Sequence, residues 1–144
     1  MAILRLLGRE YGFYPTDHEL IYQHEKIFET VLDFLNPIVG NFFVEPEEAK
    51  QKQYNELLEG HFPKFFKYFE DHLQENSSQD YLVGDSITVV DFVMFNFIHW
   101  QAYAERTTEL VMPILDKFPV LKAYVETRVE VQKDYYESRP KCDS

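Results

Sequence analysis

The stretch from Tyr81 to Trp100, YLVGDSITVVDFVMFNFIHW, constrains the fold more than any other. It spells out a helix start: Ile87 at N′, Thr88 at the N-cap, Asp91 at N3 and Phe92 at N4. The Thr88 hydroxyl can accept the Asp91 backbone N–H while the Asp91 carboxylate reaches back to the Thr88 N–H, a capping box. Ile87 against Phe92 adds a hydrophobic staple. The helix that follows is apolar on nearly every side, through Val89, Val90, Phe92, Val93, Met94, Phe95, Phe97, Ile98 and Trp100. Such a helix belongs inside a bundle or inside a membrane. Asp91, Asn96, His99 and Gln101 interrupt the run, which falls short of the ~18 apolar residues of a membrane span. It is expected to be the central helix of a soluble bundle, with His99 a hydrogen-bonded core histidine.

The rest of the chain shows the same periodicity. Residues 2–12 form a short helix with Ile3, Leu4, Leu6, Leu7 and Tyr11 apolar and Gly12 as a stop. Its apolar face appears with no cap and nothing before it. Thr16 and Glu19 predict a second capping box, opening a helix whose stripe is Leu20, Ile27, Phe28, Val31, Leu35, Ile38 and Val39. His24 lies on or beside that stripe. Pro37 should end or kink this helix near Asn36. Residues 45–73 carry a long aromatic face, with Pro46 at N1 and a kink at Pro63. Thr107 or Thr108 opens a short helix, and Pro119 another. No segment has the alternation of a strand. The fold class is all-α, a bundle of five or six helices.

With 144 residues and a formal charge of −11, the chain is one domain by size and lacks the basic face of a phosphate-backbone binder, so no nucleic-acid partner is expected. Its one cysteine, Cys142, cannot form an intrachain disulfide, which suits a reducing, cytoplasmic setting. There is no phosphate-binding glycine loop, no HExxH and no paired-cysteine motif. The histidines, at 18, 24, 61, 72 and 99, are scattered, so no metal site is expected. Glu25, Glu29 and Asp33 recur every four residues along one helix face, and Arg5 and Arg9 form a basic pair on the first helix. From spacing alone that acidic face is either solvated or meets cations from a ligand or another subunit.

Four segments together carry a family resemblance: AILRLLGREYGFYPTD, YLVGDSITVVDF, FPVLKAY and YYESRP, in that order. They resemble the cytosolic glutathione S-transferases, the sigma and pi classes in particular, over essentially the whole chain. In that family a thioredoxin-like domain holds glutathione and the residue that activates its thiol, and an all-α domain supplies much of the electrophile pocket. The resemblance implies that residues 1–13 are the last helix of the thioredoxin-like part and residues 14–144 the helical domain. It also implies that the activating residue, the cis-proline and the serine that binds the γ-glutamyl carboxylate lie outside this sequence.

Several roles follow from the resemblance by position. Asp33 matches the acid that reaches across a dimer to the glutathione amino group. Arg5 and Arg9 match arginines facing acids of a partner's long helix, here Glu25 and Glu29, which favours the interface reading of the acidic face. Ile87, Thr88, Asp91 and Phe92 match a folding element. Asn36, Val39 and Phe43 fall where the electrophile pocket is lined, with Tyr135 or Tyr136 approaching from the tail. No catalytic residue and no metal is expected within the chain. The implied function is glutathione conjugation in the complete two-domain enzyme, as a homodimer, with the chain alone inactive. The alternative is a non-catalytic scaffold within a larger assembly that covers Ile3, Leu6 and Leu7.

Overall fold

The computed structural model describes residues 2–104 and 106–138, so Cys142 and the final RP of YYESRP lie outside the described residues. Among the described residues the chain is helical without strands. It comprises α1 (Ala2–Glu10), α2 (His18–Asn41), α3 (Glu47–Glu56), a π turn (Leu57–His61), α4 (Phe62–Glu75), α5 (Val89–Tyr103), α6 (Thr108–Leu115), α7 (Pro119–Val131) and α8 (Lys133–Ser138). The α3, π and α4 segments run on without a break, and only Gln132 separates α7 from α8, so the continuous helical stretches match the bundle expected. No helix among them is long and apolar enough to cross a membrane.

The expected kink at Pro63 takes the form of a π turn placed just before it. The Phe62 N–H bonds the Leu57 carbonyl, five residues back, which absorbs one extra residue without ending the helix. Pro37, by contrast, does not end α2, which runs on to Asn41. Ile38 and Asn41 on the far side of the proline are buried, and that burial offsets part of the proline's cost. Nearby, His61 Nε2 meets the Phe34 carbonyl oxygen at 2.9 Å, so that nitrogen must carry the proton. The N-cap of α2 also differs from expectation. Asp17, not Thr16, caps it, accepting the Glu19 and Leu20 N–H groups at 2.9 and 3.1 Å. An Asp carboxylate reaches N2 and N3 donors from one residue later and displaces the Thr16–Glu19 box.

The Thr88–Asp91 box is present at the start of α5. The Asp91 carboxylate accepts the Thr88 N–H at 2.8 Å, and the Thr88 hydroxyl donates to the same oxygen at 2.8 Å. Its other oxygen accepts the Leu82 N–H and the Tyr124 hydroxyl, both at 2.8 Å. A buried carboxylate thus ties the 76–88 loop, α5 and α7 together. A second buried acid does similar work: Glu70 of α4 accepts the Leu121 and Val120 N–H groups at 2.6 and 3.3 Å. It caps α7 from another helix, where local sequence offers no capping side chain.

The core lies among α2, α4, α5, α6 and α7. Phe34 is its hub, fully buried and in ring contact with His61, Phe62, Phe65, Phe66, Phe69 and Phe97. The expected stripe on α2 is therefore shifted. Phe34 belongs to it, whereas Val39 is 46% exposed.

Candidate functional site

α1 rests on the start of α5 through Gly8, whose missing side chain makes the approach possible. A Cβ there would lie 2.3 Å from Val89 Cγ2. The Val89 N–H donates to the Phe13 carbonyl at 2.9 Å and fastens the connection. The apolar residues of α1 stay uncovered: Ile3 is 72% and Leu6 64% exposed, and Leu7 and the following Tyr11 are also exposed. Beside this contact runs a cavity of about 420 Å³ lined by Leu4 and Leu7 of α1, by Tyr11 just after it, and by Phe92, Val93 and Asn96 of α5. A second cavity of about 310 Å³ continues along α5, from Asn96 past His99, Trp100 and Tyr103 to Tyr136 of α8. Asn96 lines both, so the two lie end to end along α5 and together make up the α5 groove. Its amide donates to the Phe92 carbonyl at 2.7 Å and its oxygen accepts the Tyr136 hydroxyl, which pins α8 to the groove wall.

His99 was expected in the core. It is instead half-buried in this wall, its ring 5.0 Å from Tyr103 and 4.8 Å from Tyr136. α5 is apolar all round, but the outer side of its last turns faces the surface at Trp100 and Tyr103 rather than another helix. Tyr136 enters the groove, whereas Tyr135 is exposed. Asn36, Val39 and Phe43 line neither cavity. Asn36 is exposed and Phe43 is 81% exposed. The neighbouring Phe42 instead packs its ring 5.7 Å from Trp100.

The charged residues singled out in sequence meet on the α1–α2 face. Arg5 Nη2 bonds Glu25 Oε2 and Glu29 Oε1, each at 2.7 Å, within one chain. Its Nε adds two contacts to the Glu25 carboxylate at 3.1 Å, and its guanidinium lies 4.5 Å above the Phe28 ring. The Tyr14 hydroxyl donates to Glu25 as well. Arg9 makes no ion pair among the described residues; its guanidinium stacks 4.6 Å over Tyr14. Asp33, two turns beyond Glu25, is exposed. Sequence spacing could not choose between solvent and a cation for this face. For Glu25 and Glu29 the cation is Arg5 of the same chain.

The Arg5 guanidinium holds the Glu25 carboxyl at about 2, below its ordinary 4.5, with the Tyr14 hydroxyl adding to the effect. A carboxyl depressed by folding stabilises the fold fully above its ordinary value, and that contribution fades as pH falls through the depressed value. We therefore expect Arg5→Met to destabilise by about 1 kcal/mol at neutral pH, the pair being partly exposed. The difference from wild type should stay constant above pH 5 and shrink between about pH 4.5 and 2. Urea unfolding at stepped pH checks this, and a difference that does not change with pH refutes it. Burial pushes the His24 imidazole down, opposed by Glu25, whose carboxylate lies 3.6 Å away. His24 packs between Tyr14 and Phe28, with ring distances of 4.6 and 5.9 Å.

Comparison with known proteins places this geometry. A family profile described as "Glutathione S-transferase, C-terminal domain" matches residues 32–139. "Glutathione S-transferase P" of Bos taurus is 30% identical over 126 residues, 86% of this chain and 54% of that protein. "Glutathione S-transferase" of Plasmodium yoelii yoelii is 32% identical over 126 residues, 87% of this chain and 54% of its own length. The chain thus spans about half the length of these curated relatives. Among solved structures, the monomeric glutathione S-transferase Na-GST-3 of Necator americanus superposes with a TM-score of 0.81 at 28% identity, over 99% of this chain and 69% of that one.

Proposed function

The chain belongs to the glutathione S-transferase family, as a C-terminal helical domain, and on that premise we propose that it is the helical half of a glutathione-conjugating enzyme. The observation that carries this reading is the groove along α5, apolar at the α1 end and edged by Asn96, His99 and Tyr136 at the other. Its α1 end, with the bare Ile3, Leu6 and Leu7, suits the docking of a thioredoxin-like domain to which residues 1–13 contribute the last helix. Its Tyr136 end suits an electrophile held beside that domain. Ionisation of the glutathione thiol, on which the reaction depends, falls to the thioredoxin-like part. Here the chain supplies pocket wall and position, and no catalytic group.

Asp33 is proposed as the carboxylate that meets the glutathione ammonium from across a dimer, a charge-assisted hydrogen bond. Its exposure on the outer face of α2 fits that role. Arg5, Arg9, Glu25 and Glu29 are proposed as the dimer face. Arg5 fixes the two acids within its own chain, and the exposed Arg9 and Glu29 are offered to the other copy.

The test compares the 144-residue chain with a fusion that places the thioredoxin-like half of a pi-class relative ahead of Ala2. With glutathione and an aryl halide, the chain alone should not exceed the buffer rate, and the fusion should turn over. Asp33→Asn in the fusion should raise the KM for glutathione roughly tenfold with little change in kcat. Turnover by the chain alone, or a folded fusion that binds glutathione yet stays inactive, overturns the reading.

A second reading, a non-catalytic scaffold, is favoured by the same exposed α1 face, since a patch of that kind marks an interface or an aggregation hazard. Leu6→Asp separates the two. Because Leu6 is largely exposed, its replacement should leave unfolding within about 0.5 kcal/mol of wild type. It should improve the solubility of the chain alone and break docking in the fusion, read as lost turnover. If the fusion keeps its turnover while a native assembly containing the chain falls apart, the scaffold reading wins.

A further inference from the structure

A third cavity, of about 260 Å³, opens at the end of the bundle where α2 finishes, α3 starts and α6 starts. It shares no lining residue with the α5 groove. Its apolar floor is Ile38, Phe42 and Leu110. Set into the wall is Asn41, only 6% exposed, whose Oδ1 has no hydrogen-bond partner. A polar group buried without a partner carries a cost that ordinary folding removes. The amide offers a ligand both an acceptor and a donor, and a half-turn about its terminal bond decides which faces the cavity.

The rim carries Arg106, Lys50 and the Glu47 carboxylate, a net positive charge in a protein whose formal charge is −11. Arg106 stands at one side, its guanidinium 5.3 Å from the Phe42 ring and 5.6 Å from the Trp100 ring, so two aromatic faces hold the fork in place. Lys50 stands at the other, 3.7 Å from Glu47 of its own helix turn. The other polar neighbours are occupied: Glu47 by Lys50, and the Gln51 amide, which donates to Asn55 Oδ1 at 3.0 Å. The Tyr54 hydroxyl donates to Gln101 Oε1 at 3.2 Å, and the Thr107 hydroxyl to the Gln101 carbonyl at 2.6 Å. The groups left to recognise a ligand are therefore one pre-positioned guanidinium, one ammonium and one buried amide over an apolar floor.

The geometry points to a binding site for a small aromatic carboxylate bearing a hydroxyl. Its carboxylate lies on Arg106 with Lys50 beside it, its ring on Phe42 and Leu110, and its hydroxyl on Asn41. The volume sits just below the range of drug-sized pockets and fits a single substituted ring. A planar guanidinium pairs a carboxylate through two parallel bonds, which a neutral ester cannot reproduce.

The test uses the isotope-labelled 144-residue chain, followed by amide chemical shifts during titration with 4-hydroxyphenylacetate. Asn41, Lys50 and Leu110 should shift and saturate in the millimolar range. Arg106→Gln should weaken binding roughly tenfold, and the methyl ester should bind at least as weakly to wild type. If Arg106→Gln does not fold, the ester comparison and the partly exposed Lys50→Gln variant, expected to weaken binding about twofold to fivefold, still decide the matter. Shifts that fail to saturate, that follow Val93 and Tyr136 instead, or that the ester reproduces at equal strength overturn the assignment.

Discussion

Replacing Asp91 by alanine should leave the chain on the edge of unfolding, with a loss of about 3–5 kcal/mol. The carboxylate is completely buried and receives four donors, three from the 76–88 loop and one from α7. Truncation strands the Leu82 N–H, the Thr88 N–H and hydroxyl, and the Tyr124 hydroxyl. Each stranded buried donor costs about 1–3 kcal/mol before the structure relaxes. Loss of the helix cap alone accounts for only about 0.5–2 kcal/mol, so the excess measures the tertiary role. Asp91→Asn, which keeps one acceptor oxygen, should retain about half of the lost stability. Urea unfolding with an unchanged m-value is the check. A loss for Asp91→Ala no larger than that of Thr88→Ala would show the carboxylate acting as a local cap and nothing more. Tyr124 offers a second readout: burial, and after it Asp91, raises its hydroxyl pKa well above the ordinary value. It should therefore remain protonated in alkaline solution for as long as the fold lasts.

Phe34→Ala is expected to cost about 3–5 kcal/mol. The ring is fully buried and touches six other rings drawn from α4, α5 and the π turn. Its removal costs the transfer energy of the side chain and leaves a cavity that rigid aromatic neighbours cannot collapse to fill. Phe34→Leu should cost about 1–1.5 kcal/mol, because most of the volume is kept. The same measurement on Phe43→Ala, at an exposed ring, should differ from wild type by less than about 0.5 kcal/mol. If Phe34→Ala is as mild as Phe43→Ala, the hub does not carry the load assigned to it.

Phe34 is legible in the sequence. Residues 27, 28, 31, 34 and 38 have helical spacing, and Phe34 completes that row better than Val39 does. The Thr88–Asp91 cap was legible in full because every atom it needs lies within one turn. The partners of Asp91 in the 76–88 loop and α7 were not, nor was the capping of α7 by Glu70 from a helix some fifty residues earlier. No periodicity links residues so far apart in sequence. The same limit explains His99. Its helix looked apolar all round, yet which side of an apolar helix stays uncovered depends on which helices pack there.

Local chemistry in the sequence set where helices begin, that strands are absent, and which family motifs stand in which order, since capping, turns and 3.6-residue periodicity act over a few residues. Even so, the choice of Asp17 over Thr16 shows two adjacent caps competing within the error of such rules. Tertiary packing decided that α2 runs through Pro37, since Ile38 beyond the proline is buried in the core. It also decided that Arg5 meets Glu25 and Glu29 inside the chain, and that Asn96, His99 and Tyr136 share a wall while Phe43 points to solvent. Charge spacing marks a face as able to pair, and only the position of the neighbouring helix says with what.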